Sequence, residues 1–285
     1  MPKRKVDVVV ISDVHLGTYA CKAQELVQYL QSIETRLLIL NGDIFDGWQF
    51  SKHYFPPSHA FVIQQILNFI SRETEVIYVT GNHDEVLRKY ADLCLGNFKL
   101  ADKALLEIDG KTHWIFHGDV FDHTTSTQAK LMARLGSHGY AFLLLANKCI
   151  NSISKFLGRE KVSFAKSVMH QINKRIIKIE AFENLIADIA IEKRFATVIC
   201  GHIHQPKIRE ISTEAGVVTY LNSGDWVEHM TALEYYDNKW NMYTHAERVE
   251  SIKPKEILRL KPTEEEFQYH IPAAGDGMPA IKLRL

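Results

Sequence analysis

Five short segments hold the side chains able to do chemistry, and they occur in one order along the chain. They are Asp13-Val14-His15, Gly42-Asp43-Ile44-Phe45-Asp46, Gly81-Asn82-His83-Asp84, His117-Gly118-Asp119 and Gly201-His202-Ile203-His204. Asp, His and Asn offer oxygen and imidazole nitrogen donors, a set that suits Mn²⁺, Fe or Zn²⁺. Hydrolysis of a phosphate ester at neutral pH is slow because the anion repels hydroxide. Two cations about 3.5–4 Å apart remove that obstacle by lowering the pKa of a water between them and clamping the phosphoryl oxygens. One D-x-H or G-H-x-H arises by chance in many proteins; five motifs in series, each after an apolar run, do not.

The elements that must position these groups are legible around them. Val8–Ile11, Leu37–Leu40, Val76–Val79, Trp114–Phe116 and Thr197–Cys200 are short, apolar and largely β-branched or aromatic. Continuous apolar runs of this length read as strands buried on both faces. Helical patterns lie between them at Ala23–Ser32 and Ser58–Ser71. Alternating strand and helix implies an α/β layered fold, and ligands in such folds collect at the carboxyl ends of the strands. Every motif sits at such an end. In extended chain, residues i and i+2 point the same way, so Asp13 and His15 are spaced to grip one ion. After Gly201 the stretches Val217–Leu221, Thr231–Tyr236 and Trp240–Tyr243 read as strands, with Asp237-Asn238-Lys239 as a turn. They suggest a second sheet of more antiparallel type.

Composition narrows the class. The 285 residues are 46% hydrophobic and 24% charged, ordinary for a globular chain with a full core. Lys+Arg and Asp+Glu both number 34, so overall charge points to no nucleic-acid partner. The four cysteines (Cys21, Cys94, Cys149, Cys200) lack C-x-x-C spacing, which argues against a zinc knuckle or disulfide framework and for reduced thiols in the cytoplasm. The basic start Lys3-Arg4-Lys5 leads directly into the first strand and motif, so cleavage of a signal peptide there would destroy the site. No run of 18 apolar residues exists to span a bilayer.

The order D-x-H, G-D-x-x-D, G-N-H-D, H-G-D and G-H-x-H resembles the calcineurin-like metallophosphoesterase superfamily over about residues 7–245. Gly42–Trp48, His117-Gly118-Asp119 and Asn222-Ser223-Gly224-Asp225-Trp226 are similar to its UDP-2,3-diacylglucosamine pyrophosphatase-like branch. The resemblance implies an α/β fold built as a two-sheet β-sandwich flanked by helices. It implies two divalent metal ions, manganese first and iron or zinc as alternatives. Asp13, His15, Asp43 and His204 would hold one; Asp43, Asn82, His117 and His202 would hold the other, with Asp43 bridging. His83 would stand beside the metals and protonate the leaving group or steady the transition state, with Asp84 placed to orient its imidazole. The branch often has Arg at this position, so His83 is a departure from it. Asp46 and Asp119 fit either support for a ligand imidazole or a turn or cap role. The remaining histidines, among them His53, His113, His123 and His138, read as ordinary surface or core residues.

The expected organisation is a catalytic domain over 1–249, a helical insert or lid at about 124–192 and an extended tail over 250–285. Residues 130–180 carry ten basic residues against Glu160 and Glu180, a net charge of +8, interleaved with apolar residues such as Leu143 and Phe156. A basic helix with an apolar side reads either as a surface for amphiphiles and anionic membranes or as a solvated face over a packed one. Arg88 and Lys89 follow the third motif, where they would add phosphate contacts. The expectation is a hydrolase for an acylated sugar nucleotide, cytoplasmic and peripheral on the inner membrane face. The alternative is a soluble phosphodiesterase or phosphomonoesterase acting on nucleotides or other small phosphoesters.

Overall fold

A computed structural model describes residues 3–50, 54–121 and 164–245, excepting the side chains of 164–177. The part of the expected 124–192 insert that precedes residue 164, with most of its basic residues, the tail over 250–285, and His53, His123 and His138 lie outside the described residues.

Two mixed sheets form the frame. The first contains β1 (Arg4–Ile11), β2 (Ile33–Asn41), β3 (Glu75–Val79), β4 (Cys94–Leu95), β5 (Phe98–Ala101), β11 (Thr231–Tyr236) and β12 (Lys239–Thr244), in the order β12-β11-β1-β2-β3-β5-β4. The second contains β6 (Lys103–Ile108), β7 (Lys111–Phe116), β8 (Thr197–Cys200), β9 (Lys207–Thr213) and β10 (Gly216–Asn222), in the order β6-β7-β8-β10-β9. Helices α1 (Ala23–Gln31) and α2 (Pro57–Ser71) cover the first sheet; α3 (Phe164–Glu192) covers the second.

The alternation of side chains along each strand builds the layers. On β1, Val8 and Val10 point into the space between the sheets, where they meet Ile115, Ile199 and Leu221 of the second sheet. Val9 and Ile11 point the other way, onto Leu26, Tyr29 and Leu30 of α1 and Val62 and Phe69 of α2. On β8, Ile199 faces inward while Val198 and Cys200 face Ile186, Ala187 and Ala190 of α3. Both faces of these strands are therefore buried, which is why their sequences are continuously apolar. Each Val, Leu, Ile or Phe side chain among them stabilises the fold by roughly 1.5–3 kcal/mol when fully buried.

One expectation is corrected here. The strands after Gly201 do not make a sheet of their own. β10 pairs parallel with β8 in the second sheet, whereas β11 returns to the first and pairs antiparallel with β1. β4, β5, β6 and β9 were not anticipated: their burial is mixed or exposed, so no apolar run marks them. No described helix is long and apolar enough to cross a membrane.

At the far end of the sandwich, His113 is buried and accepts a hydrogen bond at Nδ1 from Trp240 Nε1, 3.2 Å away. Burial and the nearby Lys111 hold its pKa below the ordinary imidazole value. A lowered pKa means the folded chain binds this proton less readily than the unfolded chain. The stabilisation from neutral His113 is thus complete above the unfolded value of about 6.5 and lost as pH falls through the lower folded value. Denaturant midpoints across that window should drop less steeply for His113→Gln than for the unmutated chain; equal slopes would assign the acid sensitivity elsewhere.

Candidate metal centre

The five motifs converge although they come from both sheets. Asp13, Asp43 and Asn82 follow β1, β2 and β3 of the first sheet; His117, His202 and His204 follow β7 and β8 of the second. The loops are laced together by backbone. Asp13 N–H donates to Gly42 O (3.1 Å), the N–H groups of Val14 and His15 donate to Asp43 O (both 3.0 Å), and Gly201 N–H donates to His117 O (2.9 Å). A Cβ at Gly81 would collide with the Asp43 carboxylate and one at Gly42 with the His117 ring, so only glycine lets these loops approach.

Five of the seven expected ligands adopt left-handed backbone: Asp13 (φ 52°), His15 (53°), Asp43 (54°), His202 (63°) and His204 (56°). Such conformations cost roughly 1–3 kcal/mol each in a non-glycine residue and persist where surrounding structure imposes them, often at functional sites. They turn the side chains from adjacent loops toward one another. His204 Nε2 lies 3.1 Å from Asp13 Oδ1 and 3.4 Å from His15 Nε2. His117 Nε2 lies 3.1 Å from Asp43 Oδ2. Asp13, His15 and His204 form one set whose donor atoms fall within 4.8 Å of each other; Asp43, His117 and His202 form another; His15, Asp43 and His83 form a third that links them.

The donor chemistry fits cations. Asn82 Oδ1 is buried without a hydrogen-bond partner, and the buried Asp13 Oδ1 and His117 Nε2 meet only other members of the cluster, His204 Nε2 and Asp43 Oδ2, each at 3.1 Å. The His117 ring is fixed by Nδ1 donating to Asn41 O at 2.8 Å, which turns Nε2 toward Asp43. Buried acceptors left unsatisfied are costly, and a cation relieves that cost. Burial opposes charge on His117, but Asp43 and Asp13 outweigh it and pull its pKa up to about 10. Burial pushes the Asp13 and Asp43 carboxyls up, yet the surrounding imidazoles hold both below the usual carboxylate value.

Around these atoms lies a layer that the motifs only partly announce. Asp46 serves both roles left open for it. Its Oδ2 accepts from His15 Nδ1 (3.1 Å), and its Oδ1 accepts from the N–H groups of Trp48 (3.0 Å) and Gln49 (2.7 Å). The same Oδ2 approaches His83 Nδ1 at 3.0 Å, while the His83 ring stacks on Trp48 with centroids 3.9 Å apart. The expected pairing of Asp84 with His83 is therefore corrected. The Asp84 carboxylate is turned into the protein, where it accepts from Ile44 N–H (3.0 Å), Tyr78 OH (2.6 Å) and Gly81 N–H (2.6 Å) and so braces the second and third loops.

Arg88 donates to Asp119 (Nη2 to Oδ2, 2.9 Å) and lies 3.4 Å from Asp102, tying the third motif to the fourth. The Asp119 carboxylate thus has the Arg88 guanidinium as its partner. Lys89 lies over the Tyr90 ring, 4.8 Å from its centroid. Two groups near the site had no role assigned from sequence. Ser12 Oγ donates to Asp13 Oδ2 at 2.5 Å, and Asp225 lies 3.7 Å from His204 Nδ1. The Asn222–Trp226 motif was the only signal for Asp225.

Comparison with known proteins adds the following. The calcineurin-like phosphoesterase family matches residues 6–206. The UDP-2,3-diacylglucosamine hydrolase of Blochmanniella pennsylvanica is 23% identical over 236 residues, covering 80% of this chain and 92% of that protein. The UDP-2,3-diacylglucosamine hydrolase of Aliivibrio fischeri is 21% identical over 244 residues, covering 83% and 97%. Among solved structures, the phosphoesterase Yfce of E. coli aligns with a TM-score of 0.43 at 13% identity, covering 84% of this chain and 93% of that one.

Proposed function

This chain belongs to the calcineurin-like phosphoesterase family and is a metal-dependent phosphohydrolase; from that premise we propose that it cleaves the pyrophosphate of an acylated sugar nucleotide, releasing a lipid phosphate and a nucleoside monophosphate. The observation that carries the hydrolytic reading is the convergence of Asp13, His15 and His204 in one donor cluster and Asp43, His117 and His202 in another, linked by a third of His15, Asp43 and His83. The substrate class is supported by the relatives named UDP-2,3-diacylglucosamine hydrolase, aligned over most of both chains. The basic, apolar composition of residues 130–180 supports it too, as it suits acyl chains and a diphosphate at an anionic membrane surface.

Asp13, His15, Asp43 and His204 would hold one cation, and Asp43, Asn82, His117 and His202 the other. The mixed oxygen and nitrogen donors suit manganese, with iron or zinc as alternatives. When bound, the pair supplies Lewis-acid polarisation and charge neutralisation of the phosphoryl group. The residues do the rest. Asp46 and Asn41 O each engage one ring nitrogen, of His15 and His117, and so leave the other ring nitrogen toward the centre. His83, held between Trp48 and Asp46, stores a proton for the leaving oxygen. Lys89 is the freer of the two basic residues proposed for phosphate contact, because Arg88 is engaged by Asp119.

The test compares turnover of a diacylated UDP-sugar, its deacylated analogue and a nitrophenyl phosphodiester, with Mn²⁺ present. The acylated substrate should show the highest kcat/KM, by at least about tenfold, or 1.4 kcal/mol. Equal or better turnover of the small esters would overturn the substrate reading in favour of a nucleotide phosphoesterase.

A further inference from the structure

The carboxylate of Asp225 is fully buried yet belongs to none of the five motifs. Its two oxygens have separate tasks. Oδ1 accepts from three successive backbone N–H groups, those of Val227 (2.8 Å), Glu228 (2.5 Å) and His229 (3.0 Å). That is a capping arrangement, and Asn or Ser could provide it equally. Oδ2 instead meets two imidazoles. His229 Nδ1 is 2.7 Å away and His204 Nδ1 is 3.7 Å away. Capping does not account for this second oxygen.

The segment carrying Asp225 is fixed against the Asp13 loop. Trp226 N–H donates to Asp13 O (3.1 Å), Ser12 Oγ lies 3.2 Å from Gly224 O, and the hydroxyls of Ser12 and Ser223 are 2.7 Å apart. Asp225 therefore sits in a frame shared with Asp13. His204 directs Nε2 toward Asp13 and His15, so its Nδ1 must carry the ring proton when Nε2 donates its lone pair to a cation. Asp225 Oδ2 is the carboxylate oxygen facing that nitrogen. At 3.7 Å the contact is electrostatic and longer than a hydrogen bond; the negative charge favours the tautomer of His204 that carries its proton on Nδ1.

We propose that Asp225 is a positioning residue for His204, tuning the Asp13–His15–His204 side of the centre, with His229 as the second imidazole on the shared oxygen. The inference rests on the proposed ligand assignment and assigns a role to a residue outside it. Loss of the carboxylate weakens one cation site of the two and leaves the Asp43–His117–His202 side alone.

The experiment titrates metal-stripped protein with Mn²⁺ and records the melting temperature of the stripped chain. For Asp225→Asn, which retains an oxygen for the cap, one of the two affinities should fall by about 10–100-fold. The other should hold, and the stripped chain should melt within a few degrees of the unmutated one. His229→Gln should leave both affinities in place, because Oδ2 remains for His204. If Asp225→Asn does not fold, Asp225→Ser keeps the capping oxygen and serves the same comparison. Two unchanged affinities in Asp225→Asn, or an equal loss in His229→Gln, would overturn the role. A large drop in melting temperature of both stripped variants, Asp225→Asn and Asp225→Ser, would mark the carboxylate as structural and also overturn it. Failure of the unmutated chain to bind Mn²⁺ would instead remove the ligand assignment itself.

Discussion

Replacing Asp43 by Ala should abolish phosphohydrolase activity and strip the chain of both metals. The Asp43 carboxylate contacts two other motifs. Oδ2 lies 3.1 Å from His117 Nε2, and Oδ1 accepts from His83 N–H at 2.8 Å. Its donor atoms also belong to two of the three clusters able to hold a cation. A bridging carboxylate offsets the repulsion between two cations held about 3.5–4 Å apart, so its removal affects both sites together. Asp43 adopts φ 54°, a conformation that Asn tolerates better than Ala. Asp43→Asn therefore separates loss of charge from backbone strain, and it too should lose metal. Elemental analysis after purification is the measurement. Two metals retained per chain in either variant would exclude the bridging assignment.

His83→Ala should keep both metals and lose roughly 10²–10⁴-fold in turnover, the usual contribution of a positioned general acid. The imidazole is placed for that task by Asp46 Oδ2 at 3.0 Å and by stacking on Trp48. Burial opposes its charge, but Asp46 and Asp43 raise its pKa above the ordinary imidazole value. The deficit should shrink for an ester whose leaving group has a low pKa, such as a nitrophenyl ester, because that group departs without a proton. An equal deficit on good and poor leaving groups would assign His83 to positioning. Loss of metal would make it a ligand, a role its third cluster with His15 and Asp43 leaves open to test.

The central strands and the place of the site were legible in the chain because their causes are local. Val8–Ile11, Leu37–Leu40 and Thr197–Cys200 are buried on both faces, so the need for apolar residues at every position marks them without knowledge of their neighbours. The edge strands β4, β6 and β9 carry exposed residues and leave no such mark. The sheet to which a strand belongs is not local information. Thr231–Tyr236 reads as a strand anywhere, but its pairing with β1 depends on where the chain returns after β10.

The sequence by itself determined which residue types stand at the strand ends, and hence that the chemistry is a phosphoesterase's. The tertiary structure decided how those residues meet. From G-N-H-D, the adjacent Asp84 is the natural partner for His83, but the left-handed turn at Asp43 and the loop that follows it bring Asp46 there instead. Asp84 points inward to Tyr78 and two backbone amides. Asp225 faces His204 across 21 residues of chain, because the Ser12–Ser223 and Asp13–Trp226 contacts fasten two loops together. Motif spacing encodes the direction of a side chain within one loop. Distances between loops depend on how two twisted sheets and their helices pack, and no local pattern carries that.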